Sequence, residues 1–338
     1  MVYLVAEVTG VILFAAIYYT LDALIRFPFA DRIMTSVSIA LVNTVFRFIK
    51  VVGLLPFTRQ IEKTVNFLVR EKPQQKAVAP EAMRLEERFI QHPALAIEQS
   101  RLTINAMAEE AKRNFVEAVA LLHGYSDERF KLVEDLEGSV DRYEDKLGTY
   151  LVKVTEREMT AKQNAEVSKF LHTISDFERI SDHAVNITDS LTEMNQKDLH
   201  FSKKALEEME VFSKALKDIV EATCTAFVEA DLEKARRIEP FEQVIDGLSI
   251  ELKQRHVHRL RKGKCTIELG LILEDIITNY ERISDHCSNI AVCMIRVNED
   301  GFDTHEYLDV VKEEKAPWFE EEFYALSRKY ALPEKKRK

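Results

Sequence analysis

The chain has 338 residues but only 9 Gly and 8 Pro, and long stretches read Ala, Leu, Glu, Lys and Arg, a composition that favours long helices over sheets. Its formal charge of −10, with no dense basic stripe to offset it, excludes nucleic acid as a partner class. Cys224, Cys265, Cys287 and Cys293 form no CxxC pair and no metal-finger spacing, which excludes a disulfide framework and suits free thiols in a reducing cytoplasm.

Residues 1–57 differ from everything after them. Val8 to Leu21 carries no charge, and the apolar run continues to Ile25 with Asp22 as its one interruption. About 18 to 20 helical residues span a bilayer core at 1.5 Å rise each. A second apolar segment, Ile33 to Phe57, contains Arg47 and Lys50, which lipid tolerates only when they snorkel or face other helices. Two transmembrane helices joined around Pro28 to Asp31 are therefore expected, giving a multi-pass protein of the cell membrane; two buried helices of a globular core are the alternative. No basic stretch precedes the first run, which argues against a signal peptide. Arg59, Lys63, Arg70 and Lys72 follow directly and place the remainder on the cytoplasmic side. Residues 58–93 read as this basic juxtamembrane segment followed by a linker, since the prolines of Glu71 to Pro80 cannot continue a helix.

From Glu81 onward the pattern is helical, and two halves echo each other. Shifted by 105, residues 133–147 fall on 238–252, pairing Glu134 with Glu239, Glu137 with Glu242 and Asp141 with Asp246. Shifted by 103, FERISDHAVNI at 177–187 falls on YERISDHCSNI at 280–290. An internal duplication explains these anchors. Three helices are expected in repeat 1 (about 94–196), over 94–123, 127–156 and 160–195. Repeat 2 (about 203–296) is expected to hold three more, over 203–229, 231–259 and 264–296. Ser126 and Asp127 suit an N-cap, and Lys262–Gly263–Lys264 breaks the helix before the sixth. The expected fold is all-α: two tandem three-helix bundles within 94–302, preceded by the two transmembrane helices. Residues 303–338 have room for one more amphipathic helix and end in a basic KKRK tail expected to be disordered.

Chemistry concentrates in four acidic pairs. Glu178 and Asp182, then Glu281 and Asp285, stand at i and i+4 and project from one helix face. Glu137 with Asp141, and Glu242 with Asp246, repeat the spacing on the preceding helix of each half. Antiparallel packing would let four carboxylates converge in each repeat. Such an all-oxygen group suits Mg²⁺, Mn²⁺, Ca²⁺ or iron, and the mutual repulsion makes a cation its natural neutraliser. No histidine stands at i+3, unlike the Glu-x-x-His of di-iron bundles. The competing reading is a solvated acidic face, or carboxylates neutralised by Arg179 and Arg282. Duplication of the pairs beside core-like Ile174, Phe177, Ile180 and Ile187, matched by Ile277, Tyr280, Ile283 and Ile290, favours the cation. His183 and His286 lie about 100° round the helix from the aspartates and read as interhelix hydrogen-bonding residues. His256 and His258, among Arg255, Arg259 and Arg261, read as a solvated or capping basic helix end. No phosphate loop, nucleophile elbow or HExxH is present, so no catalysis is expected.

Two E-R-I-S-D-H-x-x-N-I segments, each following an ExxxD helix in a duplicated six-helix layout, resemble the PhoU family over about residues 95–296. The resemblance implies a metal cluster on each repeat and regulation of phosphate uptake at the membrane. Carried over by motif, the ligands are Glu137, Asp141, Glu178 and Asp182, then Glu242, Asp246, Glu281 and Asp285, holding divalent or transition ions such as Fe, Mn, Zn or Mg. Asn279 replaces Asp176 in the second repeat, which implies a smaller or weaker cluster there. Residues 40–63 resemble the last membrane helix of bacterial sodium/phosphate cotransporters, which carry a PhoU-like domain at the cytoplasmic C-terminus. The implied partners are the membrane, a phosphate transporter's membrane domain and a second copy of the chain. The expectation is a membrane-attached regulator of sodium-dependent phosphate transport; a symport subunit and a metal-free helical adaptor are the alternatives.

Overall fold

The computed structural model describes residues 85–296 and 317–333, together with Tyr19, Thr20, Ala23, Leu24, Arg26 and Thr44. The chain divides into units Met1–Val78 and Ala79–Lys338, and the long described helices all belong to the second.

Each helix begins where the sequence supplies a start signal. A 3₁₀ turn (Glu87–Gln91) leads into α1 (Pro93–Ala120), with Pro93 at the first position, where its missing N–H costs nothing. Ser126 caps α2 (Asp127–Thr155) by accepting from the Arg129 N–H. Thr160 and Gln163 form a reciprocal capping box on α3 (Ala161–Gln196). Ser202 caps α4 (Lys203–Glu229), and Asp231 caps the five-residue α5 (Leu232–Arg236). Next come α6 (Ile238–Arg261) and α7 (Ile267–Arg296), separated by a turn in which Gly263 takes a φ of +63°. Pro240 explains why α5 and α6 are two helices: it fits only the first turn of a helix, so the helix restarts at Ile238. The matching position in the first half is Asp135, and α2 runs through it unbroken.

Helices α1, α2 and α3 pack on one another, as do α4, α6 and α7, and α3 lies along α7 to join the halves. Phe177 of α3 meets Phe227 of α4 edge-on at 5.2 Å, while its counterpart Tyr280 of α7 meets Phe115 of α1 at 6.4 Å. Each repeat thus sends its motif aromatic into the other, and the described apolar side chains form one continuous core. The Tyr280 hydroxyl bonds the Ser213 hydroxyl at 2.9 Å, which satisfies a group otherwise stranded in that core. The all-helical reading holds.

A further helix, α8 (Pro317–Lys329), packs on α6, and the chain after it stays docked there. Phe319, Tyr330 and Leu332 are buried.

Two expectations need correcting. Among the described residues no helix is long and apolar enough to cross a membrane, which overturns the multi-pass membrane localisation. The longest described helix, α3 with 36 residues, is amphipathic and carries charged side chains along its exposed face, so lipid cannot surround it. The two segments expected to span, residues 8–25 and 33–57, lie outside the described residues except at Tyr19, Thr20, Ala23, Leu24 and Thr44. His256 is not solvated either. It is 6% exposed, with Nδ1 4.0 Å from the Cys265 sulfur and its ring against Gly270 of α7.

A Cβ at Gly270 would stand 2.6 Å from His256 Nε2. Gly270→Ala is therefore expected to destabilise by about 1 kcal/mol, the steric cost outweighing the gain in helix propensity. The same substitution placed on His256→Ala should stabilise, and urea unfolding of the four chains measures both signs.

Candidate metal centre

In the second half, Glu242 and Asp246 stand one turn apart on α6 and face Asp285 of α7. Each offers an oxygen, and the three oxygens lie within 4.8 Å of one another. Glu242 is buried, and the two aspartates are partly so. Among the described residues this is where three such side chains converge so closely. The fourth motif residue, Glu281, turns aside: its carboxylate accepts from the Ser249 hydroxyl at 2.9 Å and from Lys253 Nζ at 3.2 Å. Lys253 also pairs with Glu274 at 3.5 Å, so this part of the groove is neutralised by the protein itself. Arg282 reaches Asp285 at 3.4 Å from an exposed position, where an ion pair contributes little.

In the first half the lysine is missing, and the cation that reaches a motif carboxylate is Arg179, 3.7 Å from Glu178 and itself exposed. Gly148 stands where Lys253 stands, and Glu144 stands where Ser249 stands. Glu137 and Asp141 of α2 face Glu178 and Asp182 of α3, and Glu144 joins them, its carboxylate accepting from Ser175 Oγ at 2.7 Å. Burial, then the Asp182 and Glu144 charges, push the Glu178 carboxyl up to about 7 against the pull of Arg179. Burial also raises Glu137, with Asp182 and Asp141 adding to it. Asp141 rises through burial and through Asp145, Glu144 and Asp182. Asp182 is thus within electrostatic reach of each of the other three motif residues, and the group is held at an electrostatic cost.

These donor sets fit a hard or borderline cation. They are all-oxygen, come from facing helices, and in the second half lie close enough for small side-chain movements to bring them onto one ion. Glu137, Asp141, Glu178 and Asp182 would hold it in the first half, with Glu144 as an added donor. In the second, Glu242, Asp246 and Asp285 would do so, and Glu281 only by leaving Lys253.

Asp176 and Asn279 belong to neither group, so their exchange does not shrink the second one as expected. They lie where α3 meets α7. His286 Nδ1 is 2.9 Å from Asp176 Oδ1, and His183 Nδ1 is 2.8 Å from Asn279 Oδ1. The two imidazoles stack at 5.6 Å. Asn289 Nδ2 also donates to Asp176, at 3.4 Å. The motif histidines and asparagine therefore tie the repeats together beside the carboxylates. Sequence reasoning overlooked Glu144, Ser249 and Lys253, although the internal alignment sets Glu144 opposite Ser249 and Gly148 opposite Lys253.

The PhoU domain model matches residues 104–191 and 210–294. The phosphate-specific transport system accessory protein PhoU homolog 1 of Thermotoga maritima is 32% identical over 148 residues, 44% of this chain and 62% of its own. The chain thus spans less than two thirds of that relative. A PhoU homolog of the same description from Borreliella burgdorferi is 22% identical over 174 residues, half of this chain and 78% of its own. Two solved structures share the fold: the phosphate transport system regulatory protein PhoU of Streptococcus pneumoniae and PhoU of Pseudomonas aeruginosa. Both have a TM-score of 0.57 and cover 62% of this chain, at 16% and 18% identity and over 99% and 98% of their own lengths.

Proposed function

Because this chain belongs to the PhoU domain family, we propose that it regulates a phosphate transport system through cations bound at its two carboxylate groups. A cation bridging α2 to α3, and another bridging α6 to α7, would relieve the repulsion within each group and fix the face shown to a transporter. The observation that carries this reading is the duplication itself: the same acidic pairs face each other in both halves, and in the second three oxygens lie within 4.8 Å. The names of the Thermotoga and Streptococcus proteins support phosphate transport as the system. Sodium coupling rests on the likeness of residues 40–63 to a carrier helix. A second copy of the chain is a further candidate partner. Nothing in the groups calls for catalysis, and the proposal is a regulator and not an enzyme.

Full chain incubated with Mn²⁺, Fe²⁺ or Zn²⁺ should retain metal after gel filtration. At an ion concentration one hundred times the dissociation constant, the ion should add about 2.7 kcal/mol of stability. Combining Asp182→Asn with Asp285→Asn should remove both effects, and cells carrying that variant should take up phosphate at an altered rate. A parent chain free of metal, whose melting point chelators do not move, would sink the cation reading. The metal-free adaptor would then stand, with the Lys253–Glu281 pair as its model.

A further inference from the structure

The segment Pro317–Pro333 lies beyond residue 294, where the family match ends, and it has no counterpart between the repeats. Its helix packs on α6, and two side-chain contacts after that helix hold it there. Near the start of α6, the Tyr330 ring stacks on Phe241 at 5.2 Å and 19°. Fourteen residues further, Arg255 donates to the Pro333 carbonyl at 2.8 Å. Phe241 and Arg255 lie on one side of α6 with their backbones about 21 Å apart along its axis, and both side chains reach the same short stretch of chain. Glu242 and Asp246 fall between them. Glu242 adjoins Phe241 in sequence, about 100° round the helix, so a ring held on Phe241 fixes the direction in which Glu242 projects.

Both contacts are anchored from behind. The Tyr330 hydroxyl donates to Asp218 of α4, and Lys329 pairs with the same carboxylate at 3.1 Å. Arg255 and Arg259 share the buried Glu208 of α4, and Arg255 also grips Glu251. The segment therefore joins α4 to α6. In the first half the matching positions are Leu136 for Phe241 and Tyr150 for Arg255. Tyr150 holds the Glu86 carbonyl at 3.2 Å, while Leu136 offers no ring to stack on. The half with the segment is also the half in which three carboxylates converge within 4.8 Å.

We propose that the C-terminal segment positions α6 so that Glu242 and Asp246 meet Asp285, with Tyr330 as the positioning residue for cation binding in the second repeat alone. The inference rests on the cation reading above. It makes the two sites unequal: one set by the helices themselves, the other dependent on a segment outside the repeats.

The test titrates Mn²⁺ into full-length chains in two backgrounds. Asp182→Asn leaves the second site, and Asp285→Asn leaves the first. Adding Tyr330→Ala should weaken Mn²⁺ binding about 10- to 100-fold in the Asp182→Asn background, the usual cost of losing a residue that supports ligands. In the Asp285→Asn background the affinity should not change. Tyr330→Phe keeps the stack and should restore affinity to near the parent value, although it loses the Asp218 hydrogen bond. Unchanged affinity in the Asp182→Asn background overturns the inference alone, as does an equal loss in both backgrounds, which would mark a general loss of fold. A parent that binds no Mn²⁺ overturns the cation reading, and the inference with it.

Discussion

Glu208→Ala should lower the unfolding free energy by about 3 kcal/mol, measured by urea denaturation with an unchanged slope. Side-chain exposure is 8% for Glu208, 8% for Arg255 and 14% for Arg259, so all three charges are nearly out of water. Glu208 answers both guanidiniums. Its removal leaves Arg255 with Glu251 and the Pro333 carbonyl, but strips Arg259 of the carboxylate that neutralises it. The loss is that of a buried charge left unpaired, larger than the pair's net contribution to folding. Replacing the whole cluster should show the difference: Glu208→Leu with Arg255→Met and Arg259→Met is expected to recover most of the stability. A change below about 1 kcal/mol for Glu208→Ala would mean that water reaches Arg259.

This cluster marks where sequence reading stopped. The repeats were legible because helix period, capping residues and duplicated motifs all speak locally. Ser126, Thr160 and Ser202 announce helix starts within a few residues of themselves, and the two ERISD segments align without any knowledge of packing. The pairing of helices followed from the acidic stripes, because side chains at i and i+4 must share a face. Longer-range choices were hidden. Nothing near His256 says that Gly270, on another helix, leaves room for its ring. Nothing near Glu281 says that Lys253 will claim it, and only the internal alignment, with Gly148 opposite, hints that the halves differ there. Asp176 and Asn279 misled for the opposite reason. Their position in the motif suggested the cluster, yet they point across the junction of the halves to the histidine of the other repeat. The apolar character of residues 1–57 points to a membrane, whereas the described residues hold no helix able to cross one.

The first-half carboxylates also set a pH dependence whose sign separates a cation site from a merely acidic surface. Glu178 titrates near 7 in the folded chain, against an ordinary value of 4.5, because burial and the Asp182 and Glu144 charges disfavour its ionised form. Between those values the folded, metal-free chain holds a proton that the unfolded chain has released. The contribution of Glu178 to stability therefore falls as pH rises through that window, and is greatest below it. Glu137 and Asp141 are raised as well and act in the same direction. Burial holds His183 and His256 below their ordinary value of 6.5, which acts the other way, so the carboxylate effect is read as a difference: the metal-free parent should lose melting point relative to Glu178→Gln from about pH 5 to about pH 8. Cation affinity should run the other way. Each ion bound by the first group must displace the Glu178 proton, so affinity should rise about tenfold per pH unit up to about pH 7 and then level off. With saturating Mn²⁺ that relative loss should vanish or invert. Glu178→Gln removes the titrating group, so its metal-free chain should melt higher than the parent at about pH 8. A Glu178→Gln chain that keeps the parent's full slope would show that Glu178 is solvated and the first group too open to need a cation.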